Sequence, residues 1–188
     1  MKILLDNGHG VDTPGKRSPL WSDGTQLFEW SWTREITSLI KERLDAQGLD
    51  SLLLVPEDTD ISLSERAKRC NAIVGPKILI SVHGNASSNG KARGWEIFTT
   101  TADNNSDKLA QCFEDNFKYC FADLKNRGDK EKDFTLLYKV NCPCVLTENF
   151  FYDNEDDCKF MLSDEGKDAI VEIHVRSILE YIAKNEKQ

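Results

Sequence analysis

Apolar residues recur along this chain in two alternating rhythms. Short unbroken apolar runs occupy 2–6 (Lys-Ile-Leu-Leu-Asp), 51–55 (Ser-Leu-Leu-Leu-Val) and 77–82 (Lys-Ile-Leu-Ile-Ser-Val), the pattern of strands buried on both faces. Between them, apolar positions return every three or four residues. From Glu29 to Gln47 the stripe is Trp32, Ile36, Leu39, Ile40 and Leu44, and Gly48 stands where a helix would end. A second helix is predicted from Ser62, whose spacing to Glu65 is that of a capping box. It carries Leu63, Ala67, Cys70 and Val74 on one face and stops at Gly75-Pro76.

Strand, helix, strand, helix, strand predicts a mainly parallel sheet with helices on its faces. The rest of the chain continues the alternation, with strands predicted at 95–100, 134–140 and 144–149 and helices at 106–124 and 164–184. The last helix has Val171, Val175, Ile178 and Ile182 at helical spacing. The expectation is an α/β fold: a single domain spanning 1–188, with a mainly parallel twisted sheet of about six strands and helices on both faces. Two polar stretches, 11–27 and 84–94, read as loops rich in Gly, Pro and Ser, and loops on a rigid sheet are where sites sit.

Composition narrows the function classes. A length of 188 residues fits one domain, and 39% hydrophobic with 30% charged residues is ordinary for a globular chain. The formal net charge of −8 repels a phosphate backbone and disfavours nucleic acid as a partner. No apolar run approaches the roughly 18–20 residues of a membrane-spanning helix. Ile3, Leu4 and Leu5 are stopped at once by Asp6 and Asn7, which is not the pattern of a secretory leader, so synthesis and folding in the cytoplasm are expected. The six cysteines then read as thiols. Cys112 and Cys120 share one helix face, where burial accounts for them, and Cys142-Pro-Cys144 lacks the spacer of a zinc knuckle or redox motif and reads as structural.

Two of the three histidines stand in matched surroundings. In Leu4-Leu5-Asp6-Asn7-Gly8-His9-Gly10 and Leu79-Ile80-Ser81-Val82-His83-Gly84-Asn85, an imidazole follows an apolar strand beside glycine. Either histidine alone could simply cap a strand end. If the strands are parallel neighbours, however, both emerge at the carboxyl edge, where open α/β sheets place ligands, and the pair could converge on a metal. His174, inside the last helix, reads as a packing residue. A catalytic zinc ion commonly takes two histidines and a carboxylate. Glu29 opens the first helix, where it could instead complement the helix dipole. Glu148 ends an apolar strand at the same predicted edge, where an unpaired carboxylate would be costly.

These pieces together resemble the zinc-dependent N-acetylmuramoyl-L-alanine amidases of the type-3 catalytic domain family, of the single-domain endolysin kind. The resemblance runs through Asp6-Asn7-Gly8-His9-Gly10, Glu29, Leu63 with Arg66 and Asn71, Ser81-Val82-His83-Gly84-Asn85-Ala86, Gly94, Arg127, and Glu148 followed by Phe151, Asn154 and Asp157. It implies one catalytic zinc ion held by His9, Glu29 and His83, with Glu148 acting on the attacking water. The substrate it implies is peptidoglycan, cut between the lactyl group of N-acetylmuramic acid and L-alanine. A wall substrate and a chain read without a leader are reconciled by one expectation, a lytic enzyme of phage type that reaches the wall after release from the cytoplasm; a monomer is favoured. Two departures bear on the groove: Val11 stands where the family often has another glycine, and Asn149-Phe150 replaces a segment that usually contains one.

Around that set, Asn85 is a candidate substrate contact, whereas Arg66 is expected to make a structural ion pair. Trp21 and Trp95 could line a groove, but packing is the expectation for both. The acids of 154–157 lack the spacing of a calcium loop and read as a helix N-terminus. Two other functions stay open on the residues alone: a peptidoglycan-binding domain without turnover, and a zinc peptidase or deacetylase acting on a related amide.

Overall fold

A computed structural model describes residues 1–101 and 103–185. The chain runs β1 (Lys2–Asn7), α1 (Glu29–Ala46), β2 (Ser51–Leu53), α2 (Leu63–Ala72), β3 (Lys77–Asn85), β4 (Trp95–Thr99), α3 (Asn104–Cys120), β5 (Asn126–Glu131), α4 (Thr135–Lys139), β6 (Cys144–Phe151), α5 (Glu155–Leu162) and α6 (Asp164–Asn185). The strands form one sheet in the order β2-β1-β3-β6-β4-β5, in which only the β4–β6 pairing is antiparallel. The expected α/β sheet with helices on both faces is therefore present.

Strand alternation divides the core in two. Ile3, Leu5, Ile78, Ile80, Val82 and Val145 face α1, α3 and α6 in the larger cluster, while Leu4, Leu79 and Leu146 face α2 and α4 in the smaller one. β1 and β3 are buried along both faces, which is why they read as continuous apolar runs. Ser62 caps α2 by accepting from the Glu65 N–H at 3.3 Å, as its spacing predicts. Asn154 likewise caps α5, its side chain accepting from the Asp157 N–H at 3.2 Å.

Four differences from the sequence reading have a plain physical reason. The run at 134–140 is not a strand but the short helix α4, because Leu136 and Leu137 together with Phe134 and Val140 fill the smaller core while Tyr138 points outward. The strand in that part of the chain is β5, Asn126–Glu131, whose charged residues carry no apolar signal. It is the sheet edge, held to β4 by backbone pairing. α2 ends at Ala72, so Val74 lies outside it and Leu63 is half exposed, leaving Ala67 and Cys70 as the buried face. α3 starts earlier than 106, because Asp103 caps it through the N–H groups of Asn105 and Ser106, and it ends at Cys120, short of 124.

His174 is sealed in the core, as a packing role requires. Its Nε2 meets Thr147 Oγ1 at 2.9 Å and its Nδ1 meets the Ile170 carbonyl at 2.6 Å. A neutral ring satisfies both contacts, with Nδ1–H donating to the carbonyl and the threonine hydroxyl donating to Nε2. Burial pushes the ring down from 6.5 to about 4. Such a histidine contributes stability that is fully present above 6.5 and is lost as pH falls through about 4, worth about 3 kcal/mol over that window at 1.36 kcal/mol per unit. Urea unfolding at pH 7 and pH 4 should show the wild type losing about 3 kcal/mol more over that interval than His174→Gln, in which every other titrating group is kept. Parallel declines in the two proteins would contradict a neutral buried ring.

Candidate active site

β1 and β3 are parallel neighbours, with Asp6 beside Ser81 and Asn7 beside Val82, so the segments that follow them leave the same edge of the sheet. Gly8 is there because a Cβ would lie 2.3 Å from the His83 ring, and Gly10 because one would lie 2.0 Å from the Asp60 backbone. His9 between them has φ +65°, a left-handed conformation uncommon outside glycine. α1 braces this strained turn. Thr33 donates to the Gly8 carbonyl at 2.9 Å and Arg34 to the His9 carbonyl at 3.0 Å.

Glu29, the first residue of α1, points under the two imidazoles and is 1% exposed. Its Oε1 lies 3.1 Å from His83 Nδ1 and 3.4 Å from His9 Nε2, and accepts from the Gly84 N–H at 3.2 Å. Its Oε2 is buried without a hydrogen-bond partner, with the Lys16 ammonium 4.0 Å away. Burial alone would raise this carboxyl, but the bonds and charges of His83 and His9 together outweigh it and hold it down to about 2. For His83, burial disfavours the charged ring, yet Glu29 beside it leaves the imidazole above its usual value. A buried carboxylate that draws in two imidazoles and keeps a free oxygen is a cation site in electrostatic terms.

One ligand atom from each of His9, Glu29 and His83 lies within 4.8 Å of the others, and the two rings stand edge to face with centroids 5.1 Å apart. Small side-chain adjustments would bring all three to about 2 Å from one ion. The donor set and the unpaired oxygen of Glu29 fit a zinc-type metal, and among the described residues no other group of three His, Cys, Asp or Glu is so placed. Glu148 sits directly across from His83 in the β3–β6 register. It is half-buried, with Oε2 enclosed and unpartnered. Burial pushes its carboxyl up to about 7, with the His83 charge pulling it down and that of Glu29 adding to the rise. Such a group can both take and give a proton near neutral pH.

Three sets of polar residues hold these four in place. Arg66 is buried and binds Asp6 at 2.7 Å, Asp60 at 2.9 Å and the Asn7 carbonyl at 2.6 Å, while Ser81 donates to the other oxygen of Asp6. It is thus the structural ion pair expected of it. Asn85 donates to Glu96 at 2.8 Å. Burial opposes the charge of Glu96, but Lys130 and Arg127 outweigh it and keep the carboxyl below its ordinary range. The third set is the departure at Asn149-Phe150. Asn149 is sealed in the core, donates to the His83 carbonyl at 3.0 Å and accepts from the Trp95 indole at 3.1 Å. Phe150 adopts φ +68°, which glycine would take freely, and its ring packs on Phe121 and Phe160 at 5.1 and 5.0 Å.

The sequence reading missed Glu96 and the part played by Asn149. A lone glutamate inside the apolar run Trp-Glu-Ile-Phe-Thr was the available signal for the first. Trp95 is fully buried and Trp21 packs half-buried on the larger core. Two clefts, of about 400 and 390 Å³, take part of their walls from the segment that follows β1. One lies between His9, His83 and the start of α2, and the other is lined by Val11, Lys16, Arg17, Phe28 and Trp30. The Val11 departure thus falls on the wall of the second.

A family model described as Amidase_3, N-acetylmuramoyl-L-alanine amidase, matches residues 3–180. The chain belongs to this amidase family. It is 29% identical to the endolysin of Bacillus phage SPP1, over 98% of this chain and 67% of that protein. It is 27% identical to the N-acetylmuramoyl-L-alanine amidase LytC of Bacillus subtilis, over 95% of this chain and 35% of that one. The chain thus spans about two thirds of the first relative and about a third of the second. The crystal structure of N-acetylmuramoyl-L-alanine amidase from Clostridium difficile 630 superposes with a TM-score of 0.87, at 25% identity, over 97% of this chain and 96% of that one.

For this amidase domain, the Asn149-Phe150 segment gives two stability tests. Asn149→Leu leaves the Trp95 indole and the His83 carbonyl unpaired in the core and should cost about 2–4 kcal/mol by chemical denaturation. Phe150→Gly relieves about 1–3 kcal/mol of backbone strain but removes a buried aromatic worth about 3–5 kcal/mol. Net destabilisation is expected, and a stabilised variant would show that strain, not packing, dominates there.

Proposed function

We propose that the chain is a zinc-dependent N-acetylmuramoyl-L-alanine amidase that hydrolyses the amide joining the lactyl group of N-acetylmuramic acid to L-alanine in peptidoglycan. The observation that carries this is the meeting of His9, Glu29 and His83 on one point, with Glu148 across from His83. The family supports the substrate class. Membership alone leaves open a domain that binds without turnover, but the presence of all four chemistry-bearing side chains in one place favours an active enzyme.

A zinc ion held by His9, Glu29 and His83 would supply Lewis acidity, polarising the scissile carbonyl and making water more acidic. The protein supplies the rest. Glu148, poised near neutrality by burial, accepts the proton of the attacking water. It then returns that proton to the L-alanine nitrogen as the amide breaks, since an amine leaves only when protonated. Glu29, held ionised, offsets the charge of the ion. Asn85 has one amide hydrogen committed to Glu96, and we assign its second N–H to a carbonyl of the substrate. The enzyme acts on the wall after leaving the cytoplasm. No helix among the described residues is long and apolar enough to cross a membrane.

Purified sacculi test the reaction. Mass spectrometry of the soluble fraction should show stem peptides beginning with free L-alanine and no cut glycan. Cleavage inside the peptide, or release of acetate, would assign a different zinc hydrolase. Glu148→Gln should retain about one zinc per chain by elemental analysis while release falls about 10²- to 10⁴-fold. Undiminished release would remove Glu148 from the mechanism. A strong chelator should abolish activity and added zinc restore it, and a metal-free preparation of full activity would overturn the metal assignment.

A further inference from the structure

Two thiols from different elements lie side by side on the α2–α4 face of the sheet. Cys70, in α2, is fully buried, and Cys142, in the irregular segment between α4 and β6, is half-buried. Their Sγ atoms are 3.6 Å apart. The neighbouring backbone is already fastened across this junction: Asn71 donates to the Lys139 carbonyl at 2.9 Å and accepts from the Asn141 N–H at 2.8 Å. The two cysteines are therefore held near one another by the bonds of the adjacent residue Asn71. Glu148 lies about 13 Å further along β6 than its first residue, at ~3.3 Å per residue, so the pair is remote from the amidase chemistry.

We propose that Cys70 and Cys142 are a dithiol site that closes to a reversible disulfide by exchange with a low-molecular-weight disulfide, stapling α2 to the segment that enters β6. Cys142 is the sulfur that solvent reaches. The pair ionises first at Cys70, and as the Cys142 sulfur attacks one sulfur of the reagent its proton passes to Cys70, forming a mixed disulfide and expelling one thiolate. The Cys70 thiolate then attacks Cys142 Sγ, expelling the second. The two expelled thiolates take up the two protons that the cysteines lose. One reagent disulfide is thereby reduced to two thiols as two cysteines are oxidised to one disulfide. The sulfurs must close from 3.6 Å to about 2.05 Å, and Cys142 can move because it sits in irregular chain rather than in a helix or strand. The Cys142 thiol, by donating to Cys70, also eases the ionisation of Cys70. That same bond, together with burial, pushes the Cys142 thiol up, so it reacts only as Cys70 takes its proton.

The bond would close a loop between residues 72 positions apart, and long loops give cross-links their largest effect on the unfolded chain. The test uses the full chain, folded and reduced, then incubated with oxidised glutathione. The expected product has lost two hydrogens, contains one peptide pair joined through Cys70 and Cys142, and reverts with reductant. Its Tm should rise by about 5–15 °C, with release of peptide from sacculi unchanged within about twofold. Cys142→Ser and Cys70→Ala should each fold, show no cross-link and show no rise in Tm on oxidation. The proposal is overturned if both thiols stay open to alkylation, if glutathione remains attached at Cys142, if another cysteine pair forms, or if the cross-link leaves Tm unmoved. Mass and Tm are read independently of amidase activity.

Discussion

A carboxylate sealed away from water must find positive charge or hydrogen-bond donors, and Glu29 is such a carboxylate. It opens α1 beneath the edge of the sheet and draws His9 and His83 from two parallel strands onto one of its oxygens. The other oxygen is left without a partner. Most of what surrounds the site follows from satisfying that one group. Gly8 makes room for the His83 ring, the left-handed turn at His9 brings its imidazole inward, and Thr33 and Arg34 hold that turn from the same helix that carries Glu29.

Behind this group lies a frame of buried polar contacts that fix backbone rather than side chains. Arg66 ties α2 to Asp6 and to the Asn7 carbonyl at the end of β1, and Ser81 ties β3 to the same aspartate. Asn149 holds the His83 carbonyl from β6 and is itself held by Trp95 and beside Thr147, which in turn meets His174 in α6. A continuous hydrogen-bonded path therefore runs from the candidate metal ligand to the core of the last helix. Satisfied networks of this kind rigidify their surroundings. Rigidity is what a site needs when three residues distant in sequence must share one point.

The parts of this arrangement legible in the sequence were those with a local signature. Doubly buried strands announce themselves as apolar runs, so β1 and β3, and with them the edge from which His9 and His83 emerge, could be read directly. The capping spacing at Ser62 and Glu65 fixed the start of α2. Elements defined by tertiary pairing could not be read this way. β5 has no apolar residue because its edge position asks for backbone bonds and for the ion pairs of Arg127 and Lys130 with Glu96, and the apolar run at 134–140 serves a helix because two adjacent leucines suffice to plug the smaller core. At the site, the four chemistry-bearing residues were found by matched context and family resemblance. The clamp of Asn149 on a carbonyl far away in sequence had no local mark. Phe150 in a glycine-like conformation is tolerable only because Phe121 and Phe160 enclose its ring, a fact that pattern alone does not carry.

The account stands on one cation joining His9, Glu29 and His83. Anomalous scattering at the zinc absorption edge, from crystals of the zinc-loaded chain, reads this without reference to turnover. The account predicts one dominant peak about 2 Å from a nitrogen of each histidine and from an oxygen of Glu29, with Glu148 close by but outside the ligand set. A peak held by other residues, one that lacks Glu29, or no peak at this edge of the sheet would contradict it.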